Sequence, residues 1–161
     1  MKKDTKKRVN ERGAESGKDL EKRRRLVESA ATLSLILIAV ALLMPFAMGL
    51  DRSMEMISSF KWVYGAGALI YTGVRCINLS SPGESLRMRR LRRLEFWAGV
   101  SFFIGAFFWF WNCQKYGVGE PGIVMAGPLA VMRDTILFSL AGAAIQLISS
   151  WMIAYRAKKE K

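Results

Sequence analysis

The chain has 161 residues, of which 52% are hydrophobic and 24% are charged, and its formal net charge is +12. It contains two cysteines and no histidine, which excludes imidazole metal sites, bis-histidine haem and histidine acid-base catalysis. Average composition of this kind fits soluble and membrane proteins alike, so the distribution of apolar residues along the chain has to decide between them.

Three stretches of about 19 to 22 residues carry no charged residue: 29–50, 96–114 and 135–155. A fourth apolar stretch, 62–74, lies between Lys61 and Arg75. Because a helix needs roughly 20 residues to cross about 30 Å of hydrocarbon, the three longer stretches suffice unaided. The fourth needs its flanking charges to reach the interfaces. The sequence predicts an all-α membrane protein, a four-helix transmembrane domain over 26–156 with spans at about 26–50, 57–79, 94–112 and 133–155.

Both ends of the chain are basic and polar. Residues 1–25 contain too few apolar side chains to fold alone, and we expect a disordered cytoplasmic tail. This tail either attracts anionic lipid or simply fixes orientation. The first apolar run is about 20 residues long, whereas a cleaved signal core has about 7 to 15, so we expect it to remain as a span. Residues 157–161 form a basic C-terminal end.

Two connections have helix-start features. Ser81, Pro82 and Glu84 have the spacing of a capping box, which predicts that the third helix begins before the membrane. The apolar segment 123–132 is either an interfacial segment or the beginning of the fourth helix, with Pro128 in its first turn. The pattern leaves both readings open.

Lysine and arginine counts predict the orientation. With four spans, 21 of the 25 basic residues fall on one side, and the other four are Arg52, Lys61, Lys115 and Arg133. The positive-inside rule then places both termini in the cytoplasm, and we expect a bacterial inner membrane. Aromatic residues near the span ends predict interfacial belts, with Trp62, Tyr64, Trp109, Trp111 and Tyr116 outside and Trp97, Trp151 and Tyr155 inside.

Small residues recur at helical spacing on three spans, which would allow close helix approach. These helix-packing faces contain Gly65, Ala68, Thr72, Ala98, Ser101, Gly105, Ser139 and Gly142. Gln146 lies near the middle of the fourth span, where an amide needs a partner, so we expect an intramembrane polar contact, either with another helix or with a substrate. Cys76 and Cys113 fall at opposite faces, so a disulfide between them is not expected.

An arginine cluster precedes the third span: Arg87, Arg89, Arg90, Arg92 and Arg93. It either fixes orientation, with nonspecific contact to anionic headgroups at the cytoplasmic face, or binds an acidic protein partner there. Nucleic acid is not expected, because orientation accounts for most of the charge and the chain has no recognition module.

Three membrane families share single features with this chain but lack a match at the residues that matter. Met44 and Met48 resemble the methionine pair of eukaryotic-type copper transporters, yet those proteins have three spans and a glycine pair that is absent here. The small multidrug transporters need a glutamate within the first span, and residues 35–41 are aliphatic. The four-span disulfide oxidases need paired periplasmic cysteines, whereas only Cys113 is available.

A further resemblance covers about a third of the chain, from Phe60 to Asn112. The segment YGAGALIYTGVR, a polar link and RRLRRLEFWAGVSFFIGAFF together resemble small uncharacterised four-span bacterial inner-membrane proteins. That resemblance implies a fold and no activity. From the whole pattern we expect a non-enzymatic helix-packing or interaction subunit without cofactor or metal, which is a homo-oligomer or has a membrane protein partner. A small transporter or channel for an uncharged or soft substrate is the alternative.

Overall fold

The computed structural model describes residues 2–47, 53–78, 86–118 and 127–159, with side chains described in 21–47 except residue 24, and in 55–77, 89–118 and 127–156. These residues form four helices: α1 (Lys2–Ala47), α2 (Ser53–Asn78), α3 (Leu86–Lys115) and α4 (Pro128–Lys159). No strand occurs in this part of the chain, and the all-α fold class is therefore confirmed.

Three of the helices contain a segment long and apolar enough to cross a membrane: Glu21–Ala47, Arg89–Lys115 and Pro128–Arg156. Within the described ranges α2 is the exception, because Lys61 and Arg75 interrupt its apolar run. Many large apolar side chains point outward; Leu147 is 72% exposed and Trp151 is 70% exposed. Water would solvate such a surface poorly, whereas lipid chains match it. The helices therefore have the length and surface of a membrane protein.

The helices pack in chain order, α1 on α2, α2 on α3 and α3 on α4. The α2–α3 contacts pair Ile57 with Trp109 near one end and Arg75 with Glu95 near the other, so these helices are antiparallel. Helices α3 and α4 are antiparallel as well, because Asn112 meets Val131 while Ala98 lies against Gly142. We call the end of the bundle with Arg75 and Glu95 the arginine end, and the end with Trp109 and Asn112 the tryptophan end.

The ends of two helices show why they stop and start where they do. After Lys115, Gly117 adopts a positive φ of 61°, and the amide of Val118 donates to the carbonyl of Cys113 at 2.9 Å. This is a Schellman motif, in which the residue with the left-handed conformation is usually a glycine. Helix α4 begins at Pro128, a position where the missing amide hydrogen costs nothing. Of the two readings for residues 123–132, the helix start at Pro128 is the one observed.

Helix α1 extends back to Lys2, through the segment for which we predict a disordered tail. Its side chains are described from residue 21, where Arg25 pairs with Glu21 at 2.7 Å on an exposed face. An exposed pair of this kind adds little stability. It does not test whether residues 1–25 fold alone, so the disordered tail stays a prediction. The capping box at Ser81 and Glu84 lies outside the described residues.

Candidate functional site

A buried ion pair joins α2 to α3 at the arginine end. An Nη atom of Arg75 lies 3.0 Å from a carboxylate oxygen of Glu95, and the two side chains are only 13% and 10% exposed. The guanidinium of Arg75 also lies 5.2 Å from the ring centroid of Tyr71, within the range of a cation–π contact. Charges in an apolar surrounding are tolerated when they are paired in this way. The pair therefore lets a helix carrying Arg75 pack inside the bundle.

Gln146 of α4 bonds to Tyr71, which lies about one turn before Arg75 on α2. The hydroxyl of Tyr71 donates to the Oε1 atom of Gln146, and the Nε2 atom of Gln146 donates to Ser150 at 3.0 Å. Both amide atoms are therefore bonded within the protein. Together with the ion pair, these contacts form a polar layer that connects α3, α2 and α4, and we define it by Arg75, Glu95, Tyr71 and Gln146.

A second set of hydrogen bonds lies in the middle of the bundle. The hydroxyl of Ser139 donates to the carbonyl of Thr135 at 2.6 Å and lies 2.7 Å from the hydroxyl of Tyr64. The Tyr64 hydroxyl also lies 3.3 Å from the carbonyl of Phe102, and either hydroxyl can be the donor between Tyr64 and Ser139. Thr135 donates in turn to the carbonyl of Gly105 at 3.1 Å. These hydroxyl groups link α2, α3 and α4 to one another.

At the tryptophan end, two α3 side chains reach their neighbours. The indole nitrogen of Trp109 donates to the carbonyl of Ile57 at 3.2 Å, and Trp109 is fully buried. The amide nitrogen of Asn112 donates to the carbonyl of Val131 at 3.0 Å and to a carboxylate oxygen of Asp134 at 3.3 Å. Polar side chains thus fasten α3 to both neighbours at this end too.

The small residues singled out in the sequence lie at the following places. Ala68 and Ala98 are fully buried, and the Thr72 hydroxyl is shared between the carbonyls of Ala68 at 2.7 Å and Gly99 at 3.0 Å. An added Cβ atom would lie 3.2 Å from Phe110 at Gly65, 2.8 Å from the Tyr64 hydroxyl at Gly105 and 3.0 Å from Phe102 at Gly142. Ser101 lies apart from this set, since it is half-buried and donates to Trp97 of its own helix.

The arginine cluster lies on the first turns of α3. Arg89, Arg90 and Arg93 are exposed, Arg92 is half-buried, and the side chain of Arg87 is outside the described set. Leu91 is buried on the opposite stripe, and it anchors this part of α3 to the bundle. The structure therefore presents at least three guanidinium groups from one helix at the arginine end, close to the exposed indole of Trp97.

Two residues assigned to an interfacial belt belong to the core instead. Tyr64 and Trp109 are fully buried and pack with ring centroids 5.2 Å apart, so the belt prediction is wrong for both. The Tyr64 hydroxyl contacts α3 and α4, and the Trp109 indole nitrogen donates to α2, so neither polar group faces headgroups. Trp62, Trp97, Trp111, Trp151 and Tyr155 are exposed, with surface exposures between 56% and 70%, as a belt residue would be.

Glu95 and Tyr71 are the contributors that sequence reasoning missed. The sequence did contain an indication: Arg75 lies near the end of one apolar helix and Glu95 near the start of the next, at matching depths of two antiparallel helices. Tyr64 and Tyr71 are seven residues apart, which places them on one face of α2. Both patterns indicate polar groups that point inward.

The free cysteines Cys76 and Cys113 lie at opposite ends of the bundle, one exposed and the other buried. Comparison with other proteins adds no function to this geometry. No protein-family model, no curated protein and no solved structure matches the chain. The resemblance of residues 60–112 to small four-span inner-membrane proteins therefore stays a prediction.

Proposed function

We propose that this chain is a four-span protein of the bacterial inner membrane, with both termini in the cytoplasm, that acts as a non-enzymatic interaction subunit of a membrane assembly. One observation carries the proposal: the polar side chains between α2, α3 and α4 bond to one another and to backbone carbonyls. Apart from the Nε atom of Arg75, which is buried without a hydrogen-bond partner, their polar atoms hold helices together, as in a protein whose interior is structural.

The proposal that α2 crosses the bilayer rests on its surroundings. Its 26 residues give a length of about 39 Å, more than the roughly 30 Å of hydrocarbon. Arg75 is paired with Glu95, and Lys61 lies 5.7 Å from the ring centroid of Phe110. Since α2 packs against both α1 and α3, its charges are shielded from lipid by neighbours. Polar residues in membrane helices characteristically face the bundle interior in this way.

The orientation follows from charge and from helix direction together. With four spans and alternating direction, the arginine end of the bundle is the side that receives 21 of the 25 lysine and arginine residues. Cytoplasmic loops are enriched in these residues. Arg89, Arg90 and Arg93 would then face the inner leaflet, whose anionic lipids and associated proteins are their natural partners.

The transporter alternative receives less support from the geometry. A transport path would have to use polar groups within the spans, such as Gln146, Ser139, Ser101 and Thr72. Gln146 bonds to Tyr71, Ser139 to Tyr64 and Thr135, and Thr72 to the Gly99 carbonyl, while Ser101 faces away. Each of these four groups therefore has a hydrogen-bond partner within the protein.

The proposal is tested by chemical crosslinking in the native membrane, followed by affinity purification of the full chain. We expect a stoichiometric membrane partner or a discrete homo-oligomer, lost when Arg89, Arg90 and Arg93 are all changed to Gln. The matched control changes Lys2, Lys3 and Lys6 to Gln, which removes the same charge from the tail and should leave the partner bound. A chain that purifies alone, and whose crosslinks do not change with the α3 substitutions, contradicts the proposal.

A further inference from the structure

An apolar groove lies between α1 and α4, the two helices at the ends of the packing order. One wall consists of α1 side chains at helical spacing, from Leu35 through Leu42 to Phe46. Ile136, Leu140 and Ala143 of α4 form the other wall, and Phe102 of α3 lines the groove as well. Its volume is about 330 Å³. We call this feature the α1–α4 groove.

The α1–α4 groove is too small for a helix but large enough for a single hydrocarbon chain. A helix about 10 Å across and 16 Å long occupies on the order of 1,200 Å³, well above the volume available. A dry cavity of about 150 Å³ accommodates one benzene molecule, so the α1–α4 groove has room for a slender hydrocarbon chain. From Leu35 to Phe46 it runs about 16 Å along α1, close to the half-thickness of the hydrocarbon, about 15 Å.

The positively charged side chain of Arg133 lies near one end of the α1–α4 groove. Arg133 lies three residues before Ile136 on α4, and the spacing 133, 136, 140 and 143 keeps all four residues on one helix face. The Arg133 side chain is 77% exposed, and its Nε atom lies 3.3 Å from Asp134. An exposed ion pair of this kind is weak, so the Nη groups of Arg133 are available to a headgroup phosphate above a chain seated in the groove.

The groove wall is chemically suited to hydrocarbon. Ser139 is its one polar lining residue, and the hydroxyl of Ser139 is already bonded to Thr135 and Tyr64. No polar group in this lining therefore needs a hydrogen bond from a ligand. A ligand would be bound by apolar contacts along the groove and by an ionic contact at Arg133. Arginine suits phosphate because its planar guanidinium presents paired donors.

We infer that the α1–α4 groove binds one acyl chain of a glycerophospholipid whose phosphate contacts Arg133. The site is separate from the arginine cluster of α3, because Arg133 lies toward the tryptophan end, in the opposite leaflet. The inference depends on insertion of α1 and α4 in a bilayer and not on the identity of any protein partner. The bound lipid would fill the space between α1 and α4 without covalent attachment.

The experiment is native mass spectrometry of the full chain, released from nanodiscs that contain phosphatidylglycerol. We expect one retained lipid per chain. Ala143→Phe fills the groove from α4 and should lower the retained fraction about tenfold. Ala141→Phe, on the exposed opposite side of the same helix, is the matched control and should retain lipid as the wild type does. Ala39→Phe fills the groove from α1 and should reproduce the loss if Ala143→Phe folds poorly.

Arg133→Gln tests the headgroup contact and should lower retention several-fold while leaving a chain in the groove. Three results would overturn the inference: a wild-type protein that retains no lipid, equal retention in both groove-filling variants and the wild type, or an Arg133→Gln protein unchanged in retention. Conversion of a dimer to a monomer by Ala143→Phe, with lipid retention unaltered, would assign the groove to a second copy instead. A partner lost or found in the crosslinking experiment changes none of these readouts.

Discussion

Helices α2, α3 and α4 are joined by polar side chains that cross between them, whereas α1 rests on α2 through close backbone approach. On the first side are the Arg75–Glu95 ion pair and the hydroxyl contacts of Tyr64 and Tyr71. On the second, an added Cβ at Gly67 would lie 3.1 Å from the carbonyl of Ser34. Lipid removes the hydrophobic drive for helix association, so hydrogen bonds and an ion pair specify the association of α2, α3 and α4, and close backbone approach contributes to the packing of α1 on α2.

The largest expected effect concerns the ion pair. Glu95→Leu leaves the Arg75 guanidinium buried without its counter-charge, and we expect a loss of about 3 to 5 kcal/mol in the free energy of unfolding. Unfolding in mixed micelles measures it. Adding Arg75→Leu to Glu95→Leu should restore most of the stability, because no unpaired charge remains. Glu55→Leu, which removes an exposed carboxylate of α2, should cost well under about 1 kcal/mol.

A single variant as stable as the double variant would contradict the packing of α2 against α3 through these charges. It would mean that Arg75 reaches water or headgroups on its own.

A smaller effect is expected at Gly105, in the group of helices joined by hydrogen bonds. A Cβ at this position would lie 2.8 Å from the Tyr64 hydroxyl, so Gly105→Ala should push Tyr64 away from Ser139. We expect a loss of about 1 to 3 kcal/mol, as for other overpacked sites. The double variant Gly105→Ala with Tyr64→Phe, which removes the clashing oxygen, should recover part of it. An undiminished free energy of unfolding for Gly105→Ala would contradict this contact.

Two glycines of α2 form a matched pair for the α1 interface. Gly67 meets Ser34 and Ile38 of α1, whereas nothing lies within 4 Å of a Cβ at Gly73. Gly67→Ala should therefore destabilise the attachment of α1 by about 1 kcal/mol. Gly73→Ala should raise helix stability by about 0.5 to 1 kcal/mol, since glycine is the weaker helix former. Faster hydrogen exchange in α1 of the Gly67 variant, and in no other helix, is the expected readout.

If Gly73→Ala and Gly67→Ala behave alike, α1 is not held by close approach to α2. The difference between the two sides of the bundle would then disappear.

An effect of similar size is expected at Gln146. Gln146→Leu removes the acceptor of the Tyr71 hydroxyl and should cost about 0.6 to 1.7 kcal/mol, the range for hydrogen bonds between membrane helices. Ser150→Ala removes only the outer contact of the same amide and should be close to neutral. A Gln146→Leu protein that is fully stable but loses an assembly or transport phenotype would assign the residue to a ligand rather than to packing.

The helices follow from the sequence because apolar runs of this length leave few alternatives. The predicted spans 57–79 and 94–112 lie close to α2 (Ser53–Asn78) and inside α3 (Leu86–Lys115). The depth of a residue in the membrane could also be predicted from the sequence, because charged and aromatic residues concentrate at the ends of the spans. What remained out of reach was the direction each side chain takes around its helix axis. Tyr64 and Trp109 have belt-like depth, but they face inward.

The same limitation explains the missed ion pair. Charge counting places Arg75 at an interface, and Glu95 falls at the start of the predicted span 94–112. Only the packing of α2 on α3 brings the two groups to 3.0 Å. Gln146 was the easier case, because an amide far from either span end needs a partner whatever the packing. Its partner, Tyr71, depended on knowing which helix lies opposite.

The central claim is that α2 crosses the bilayer although it is the least apolar helix. Its direct test is labelling from one side of intact cells with a membrane-impermeant maleimide. In a Cys113→Ser background, Cys76 is exposed at the arginine end and should react only after the cells are opened. Asp51→Cys, in the connection before α2, should react in intact cells. Labelling of both positions from the same side would show that α2 does not span the membrane.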